Sequence, residues 1–388
     1  MQAGRRMRLI LGLACAVVLF ASCAAEQKPA TSTISAEGDD TGIDAQESSE
    51  PVTRLVLVEP ETGATVILDA SAETETSLGE LGTTHGVSGD GRFAYLRRGD
   101  AVTVVDAGSW TFDHGDHNHY YVEPPAVAGS AEGRFADAHG QRDLTTMRRE
   151  DGTVAVLDRK MLGERKMAPS DAFGDLRDIA ASAPLGESVM TVSADGAVTE
   201  NAEVKRELGR CPEVTGAVTF GREIVFGCAD GAVRIVKRAG QLIAEPMPLP
   251  VGAQPPGPLV YRYGSPTLTG IAPDKVWVLD SRKGAWKMVQ VPDVVAANTV
   301  SAESVLALTA DGQLRAFDTN DGRQTASVQL LHGPVRTGRA VIEADADRAY
   351  INDAESRAVY EIDYRDGLRV ARTFKTSIAP GFMVEVGR

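Results

Sequence analysis

The sequence predicts an all-β protein, a β-propeller of four-stranded blades, on the basis of three observations. After Pro51 the chain consists of short Val, Ile, Leu and Ala runs broken by Gly and Asp, without an apolar stripe of helical length. Asp-Gly recurs between short apolar runs in three similar segments, 191–198, 226–233 and 307–314. This dipeptide favours the positive φ angles of tight two-residue hairpin turns. The third observation is a recurrent apolar strand that ends in an acidic residue.

This recurrent strand end gives the number of blades. Six copies end in aspartate, at Asp69, Asp106, Asp158, Asp280, Asp318 and Asp363, and degenerate copies occur near Glu200 and Lys237. The first and last aspartates are 294 residues apart, which makes seven intervals of 42 residues, the length of a four-stranded blade. The count predicts eight blades, with seven as the alternative if 242–291 folds as one irregular blade.

The ring is expected to close by pairing of its two ends. The first repeat, 55–68, has no strand ahead of it, whereas 382–386 is a spare apolar strand at the other end. Pairing of these strands would complete one blade and remove the exposed edges. The propeller is therefore assigned to residues 51–388.

The N-terminus has the features of an export signal. Three arginines within 5–8 precede an apolar run over 9–20 and the small residues before Cys23. This run is too short to span a bilayer, and its end resembles the lipobox of bacterial lipoproteins. Residues 1–22 are thus predicted to be a lipoprotein signal peptide, with Cys23 lipidated and the protein held on the outer face of the cytoplasmic membrane or in the periplasm. Cleavage near Ala24 and free secretion is the alternative.

Charge and cysteine content narrow the classes of partner and the compartment. Residues 23–50 are predicted to be a disordered acidic tether, because 24–50 carry seven acidic groups against Lys28 alone. The formal charge of −14 argues against nucleic acid as a partner, and we expect a monomer. In an oxidising compartment, Cys211 and Cys228 are predicted to form one disulfide.

Three of the six histidines, His114, His117 and His119, fall within six residues. The repeat interval that contains them is 52 residues, and its excess coincides with 111–125, which indicates an inserted loop. Imidazole and carboxylate groups are the ligands of tetrahedral Zn²⁺. The loop is therefore predicted to bind zinc, with Asp113, Asp116, Glu123 or a carboxylate from another blade completing the shell.

Two further histidines are weaker candidates for zinc ligands. His139 is predicted to lie on the strand that follows the inserted loop, and His85 at the start of another blade's inner strand. A solvated His-rich loop without physiological metal is one alternative. A hydrolytic site of three histidines and an open water position is another, but no general base stands out, so we expect no enzymatic activity.

The run 110–125, WTFDHGDHNHYYVEPP, together with 226–231, FGCADG, resembles the AztD family of periplasmic zinc metallochaperones. The resemblance implies a propeller across 51–388 that binds zinc and passes it to the solute-binding protein of a zinc-uptake ABC transporter. The positions that match are His114, Asp116, His117 and His119. The alternative function is a non-enzymatic envelope propeller that binds protein or glycan without a physiological metal.

Overall fold

The computed structural model describes residues 43–113 and 117–387, apart from the side chain of Asp113. The described residues form 34 β-strands, one short α-helix and one 3-10 helix. The strands of the first half are β1 (Gln46–Ser48), β2 (Arg54–Val58), β3 (Ala64–Asp69), β4 (Thr74–Glu80), β5 (Thr84–Gly89), β6 (Phe93–Arg98), β7 (Ala101–Asp106), β8 (Ser109–Asp113), β9 (Asn118–Val122), β10 (Ala126–Glu132), β11 (Phe135–Gln141), β12 (Leu144–Arg149), β13 (Val154–Asp158), β14 (Ile179–Leu185), β15 (Ser188–Ser193), β16 (Ala197–Asn201) and β17 (Arg206–Arg210).

The second half continues the same pattern of short strands. They are β18 (Gly216–Phe220), β19 (Glu223–Cys228), β20 (Gly231–Arg238), β21 (Gln241–Pro248), β22 (Val260–Tyr261), β23 (Thr267–Ala272), β24 (Lys275–Asp280), β25 (Ala285–Gln290), β26 (Val294–Ser301), β27 (Ser304–Thr309), β28 (Gln313–Asp318), β29 (Gln324–Gln329), β30 (Ile342–Ala344), β31 (Ala349–Asp353), β32 (Ala358–Asp363), β33 (Arg369–Lys375) and β34 (Phe382–Val386). The helix α1 spans Arg159–Gly163, and the 3-10 helix spans Asp171–Phe173.

Eight antiparallel sheets form the blades of the propeller. Blade 1 contains β34, β2, β3 and β4; blade 2 contains β5, β6, β7 and β10; blade 3 contains β11 to β13; blades 4 to 8 take four consecutive strands each from β14 to β33. The predicted propeller and its eight blades are confirmed, and the seven-blade alternative is wrong. The stretch 242–291 holds most of the outer strand of blade 5 and the whole of blade 6.

The ring closes as the sequence predicts. Strand β34 pairs antiparallel with β2, from Val58 opposite Phe382 to Arg54 opposite Val386. Alternate residues of β2 point to opposite faces, so Leu55 packs towards blade 8 and its neighbour Val56 packs towards blade 2. Burial of each such side chain contributes about 1.5–3 kcal/mol. Burial on both faces explains why these strands are continuously apolar rather than alternating.

The recurrent strand end lies on the third strand of every blade, and it is an aspartate in six of the eight blades. The six aspartates are the last residues of β3, β7, β13, β24, β28 and β32, and the degenerate copies lie near the ends of β16 and β20. The side chain of Asp69 shows the reason for the pattern, because its Oδ1 accepts the backbone amides of Ser71 at 3.0 Å and Ala72 at 2.9 Å. A short side chain that accepts backbone amides two and three residues on stabilises the turn into the fourth strand.

Two of the three Asp-Gly turns differ from the predicted two-residue turns, whereas in the third Cys228 pairs with Gly231 across a two-residue connection. Gly196 and Gly312 have φ angles of +87° and +80°, whereas the preceding aspartates have negative φ. The last registered pair before the first turn joins Val192 to Val198, so the connection is longer than two residues. The Gly196 amide donates to the Ser193 carbonyl at 2.9 Å. A right-handed turn followed by one left-handed glycine needs only a single positive φ angle.

Blade 3 departs from the four-stranded pattern. Its third strand β13 is followed by α1 and the 3-10 helix, and only isolated bridges join Val154 to Leu176 and Leu157 to Pro169 along its outer edge. An irregular segment therefore covers the position of the fourth strand. Within 43–113 and 117–387, no helix is long and apolar enough to cross a membrane.

The predicted disulfide is confirmed. Cys211 and Cys228 are bonded, with Cα atoms 5.1 Å apart and positions 17 apart in sequence. Both are buried, and the bond ties the loop after β17 to the end of β19.

The predicted insertion lies between the third and fourth strands of blade 2. It is a β-hairpin, β8 and β9, rather than a loop, and with β1 it forms a ninth, three-stranded sheet in the order β1, β9, β8. Strand β1 lies inside the predicted tether of 23–50, so these three residues are ordered by pairing with β9. The signal peptide of 1–22, Cys23 and the tether before residue 43 lie outside the described residues.

Candidate metal site

The hairpin β8–β9 positions the histidine cluster. Its register places Trp110 opposite Tyr121 and Phe112 opposite His119. His117 directly precedes β9, and His119 is the second residue of that strand. Residues two apart in an extended segment point to the same side, so the two imidazoles are brought to one face of the hairpin.

The two imidazoles contact each other through their Nε2 atoms. The Nε2 atoms of His117 and His119 are 2.9 Å apart, and the ring centroids are separated by 4.8 Å with planes inclined at 62°. The ring of His119 also lies nearly parallel to that of Tyr121, at 6.2 Å. The remaining predicted ligands of the cluster, His114 and Asp116, lie outside the described residues. The structure thus brings together the two predicted ligands of the cluster that it describes, His117 and His119.

Glu47 is a member of the site that the sequence analysis missed. Its Oε1 lies 2.6 Å from Nδ1 of His119, and the two side chains are 46% and 27% exposed. An ionised carboxylate only accepts hydrogen bonds, so this contact requires a hydrogen on Nδ1 of His119, and in the neutral ring Nε2 then carries the lone pair. A carboxylate bonded to the far nitrogen of a histidine is the usual arrangement behind a metal ligand. No local feature of the polar segment 43–50 marks this role, which depends on pairing with a strand 72 residues later.

A buried arginine holds the base of the hairpin. The rings of Trp110 and Tyr121 stack at 5.4 Å, and the Arg92 guanidinium lies 3.6 Å from the centre of the Trp110 ring. Arg92 is 1% exposed and donates to Asp106 at 2.7 Å and to Glu123 at 3.1 Å. Desolvated cation–π contacts contribute about 2 kcal/mol, so this contact stabilises the base of the hairpin that carries the histidines.

The carboxylate of Glu123 serves this base. It accepts hydrogen bonds from Arg92 and from the backbone amide of Asp44, the latter at 3.4 Å. The pKa of Glu123 is raised to about 7, first by burial and then by the nearby Asp106 carboxylate, while Arg92 lowers it. Glu123 also lines a cavity of 300 Å³ beside Asp44. The structure therefore gives this predicted shell-completing residue a different set of partners.

The two weaker candidates lie on inner strands. His139 is on β11 of blade 3, which follows β10 rather than the hairpin directly, and its Nε2 is 3.9 Å from Oδ1 of Asp137. Burial lowers the pKa of His139. His85 is exposed on β5, where its Nε2 approaches Gly99. Among the residues described, no three His, Cys, Asp or Glu side chains form a group that could hold a metal ion.

Comparison with known proteins identifies the fold. No protein-family model and no curated protein matches the chain. Two solved structures of AztD from Citrobacter koseri superpose with a TM-score of 0.73 at 14% and 15% identity, and cover 87% of this chain and 98% of AztD. The chain has an AztD-like fold. The dihydro-heme d1 dehydrogenase NirN is less similar, with a TM-score of 0.53 at 16% identity over 88% of this chain and 76% of NirN. At these identities the AztD-like propeller is established as a fold.

Proposed function

We propose that this AztD-like propeller is an extracytoplasmic, membrane-anchored, non-enzymatic metallochaperone that binds zinc and delivers it to the solute-binding protein of a zinc ABC transporter. The observation that carries the proposal is the convergence of the His117 and His119 Nε2 atoms, 2.9 Å apart, on a projecting hairpin. The resemblance of the His-rich run to the AztD family and the AztD-like fold support it.

The geometry of the pair fits zinc with a small adjustment. Zinc binds imidazole nitrogen at about 2.0–2.1 Å, so two nitrogens of a tetrahedral site are about 3.4 Å apart. The observed separation of 2.9 Å requires widening by about half an ångström, which small side-chain rotations supply. His114 and Asp116 adjoin the pair in sequence, and they would complete a shell of three imidazoles and one carboxylate.

The position of the pair suits transfer of a cargo ion. An acceptor protein must reach the metal while the donor's ligands leave one at a time, and an exposed hairpin permits this approach. The stabilised base of Arg92 and Trp110 holds the ligands in place between transfers. Zinc is the cargo in this scheme, and no chemical step is assigned to it.

Zinc titration of the full-length protein tests the proposal. Alanine substitution of His114, His117 or His119 should each weaken zinc affinity at least tenfold, because each change removes a direct ligand. Loss of a residue that only supports a ligand already lowers metal affinity about 10–100-fold. The matched control is His332→Ala, because His332 is exposed on a loop of the second half. Unchanged zinc affinity in the triple variant would falsify the assignment. Transfer is tested by mixing zinc-loaded protein with the solute-binding protein and comparing the rate with release to a chelator.

One observation favours the second candidate function, an envelope propeller that binds protein or glycan without metal. Within 43–112 and 117–387 no group of three metal-ligating side chains is assembled. Elemental analysis of protein purified without added zinc separates the two functions. Stoichiometric zinc supports the metallochaperone, whereas metal-free protein that also fails to bind zinc in titration supports the second candidate.

A further inference from the structure

We propose that Glu47 is a positioning residue of the zinc site, which fixes the tautomer and orientation of His119 from the N-terminal strand β1. The inference rests on the proposed function and adds to it a residue outside the histidine run. It also makes β1 part of the site.

The contact itself assigns the proton. At 2.6 Å the Glu47 carboxylate accepts the Nδ1 hydrogen of His119, because an ionised carboxylate has no hydrogen to give. In the neutral ring Nε2 of His119 is then the lone-pair nitrogen, and it is the atom that faces Nε2 of His117. Without Glu47 the neutral ring would distribute its hydrogen between both nitrogens, and the ligating form would be only a fraction of the population.

The backbone of β1 places Glu47 for this contact. Strand β1 pairs with β9 in the register Gln46 to Val122, Glu47 to Tyr121 and Ser48 to Tyr120. Glu47 is therefore the diagonal neighbour of His119, two residues from its direct partner. Diagonal cross-strand neighbours lie within reach of long side chains such as glutamate.

A second contact keeps the segment in register. The backbone amide of Asp44 donates to Oε2 of Glu123, which Arg92 binds from the other side. The chain ahead of β1 is thus tied to the same base that supports the hairpin. These contacts give the carboxylate a fixed approach to His119 rather than a chance encounter on the surface.

The experiment compares Glu47→Ala and Glu47→Gln in the full-length protein, with Glu50→Ala as the matched control. Glu50 is exposed, lies in the same acidic segment and makes its hydrogen bonds through its backbone. Loss of a carboxylate behind a histidine ligand weakens metal binding about 10–100-fold, so Glu47→Ala should show that loss and Glu50→Ala none. Glu47→Gln should recover most of the affinity, because its amide oxygen still accepts the Nδ1 hydrogen.

A second readout is independent of metal. Nitrogen-detected NMR of the imidazoles in zinc-free protein should show the Nδ1–H tautomer of His119 in the wild type and in Glu47→Gln, and a mixture of tautomers in Glu47→Ala. The role of Glu47 would be overturned if Glu47→Ala changed neither the tautomer nor the zinc affinity while His117→Ala abolished zinc binding. That result would leave the proposed function standing. Failure of the wild type to bind zinc would instead overturn the proposed function, whatever the tautomer.

Discussion

The buried carboxylate of Glu123 makes folding stability depend on pH. Its pKa is raised from 4.5 to about 7, first by burial and then by the Asp106 carboxylate. Between these two values the folded protein keeps a proton that the unfolded chain has released. A state that binds more protons loses stability as pH rises. The contribution of Glu123 is therefore complete below about pH 4.5 and is lost as the pH rises through about 7.

The shift sets the size of the effect. A rise from 4.5 to about 7 corresponds to an upper limit of about 3 kcal/mol at about 1.4 kcal/mol per pH unit. Solvent screening reduces it little, because the side chain is 1% exposed. Carboxyl groups with lowered pKa, such as Glu59 and Asp311, act in the opposite direction. The dependence of wild-type stability on pH therefore combines contributions of both signs.

Glu123→Gln isolates the contribution of this one group. The amide keeps the shape, its oxygen can accept from Arg92, and it has no proton to release. The free energy of unfolding of the variant minus that of the wild type should therefore increase by up to about 3 kcal/mol between about pH 4.5 and pH 8.

Urea unfolding at both ends of this pH range, followed by tryptophan fluorescence and circular dichroism with the disulfide intact, measures the difference. The exposed Glu50→Gln serves as the control and should show no such trend. A wild-type-to-variant difference that stays constant within about 0.5 kcal/mol across the range would refute the reasoning.

Three further predictions concern the stability of the hairpin base and of the propeller. Arg92→Leu leaves two carboxylates buried without their cation and should cost about 3–5 kcal/mol in urea unfolding; a loss below about 1 kcal/mol would contradict the burial argument. The double change Cys211→Ser and Cys228→Ser removes a disulfide between positions 17 apart and should lower the free energy of unfolding by about 3 kcal/mol. Reduced wild type should unfold like the variant. Equal unfolding midpoints for the variant and the oxidised wild type would count against the prediction. Gly108→Ala should cost about 1–3 kcal/mol and weaken zinc binding, because Gly108 has φ +69° and its added Cβ would lie 2.2 Å from the Glu123 carbonyl oxygen. Unfolding and zinc titration curves of Gly108→Ala that match those of the wild type would contradict this prediction.

Local patterns in the sequence were sufficient for the propeller. The aspartate that ends six of the third strands accepts hydrogen bonds from the turn just after it, as Asp69 does, so its cause lies within three residues of chain. Ring closure was equally accessible, since an unpaired strand at each end of a repeat array can bury its edges only by pairing with the other. The outer edge of blade 3 was not predictable in this way, because α1 and the 3-10 helix replace a strand without changing the repeat that precedes them.

The sequence by itself determined the eight blades, the closing strand pair, the disulfide and the place of His117 and His119 on an insertion. Each follows from periodicity, from counting, or from residues close together in the chain. Only the tertiary structure decided that Glu47 meets His119, that Arg92 lies under Trp110 and that the pKa of Glu123 is raised. These features arise where segments distant in sequence meet and exclude water. Strand β1 is polar and three residues long, and no pattern in its sequence predicts which strand it pairs with.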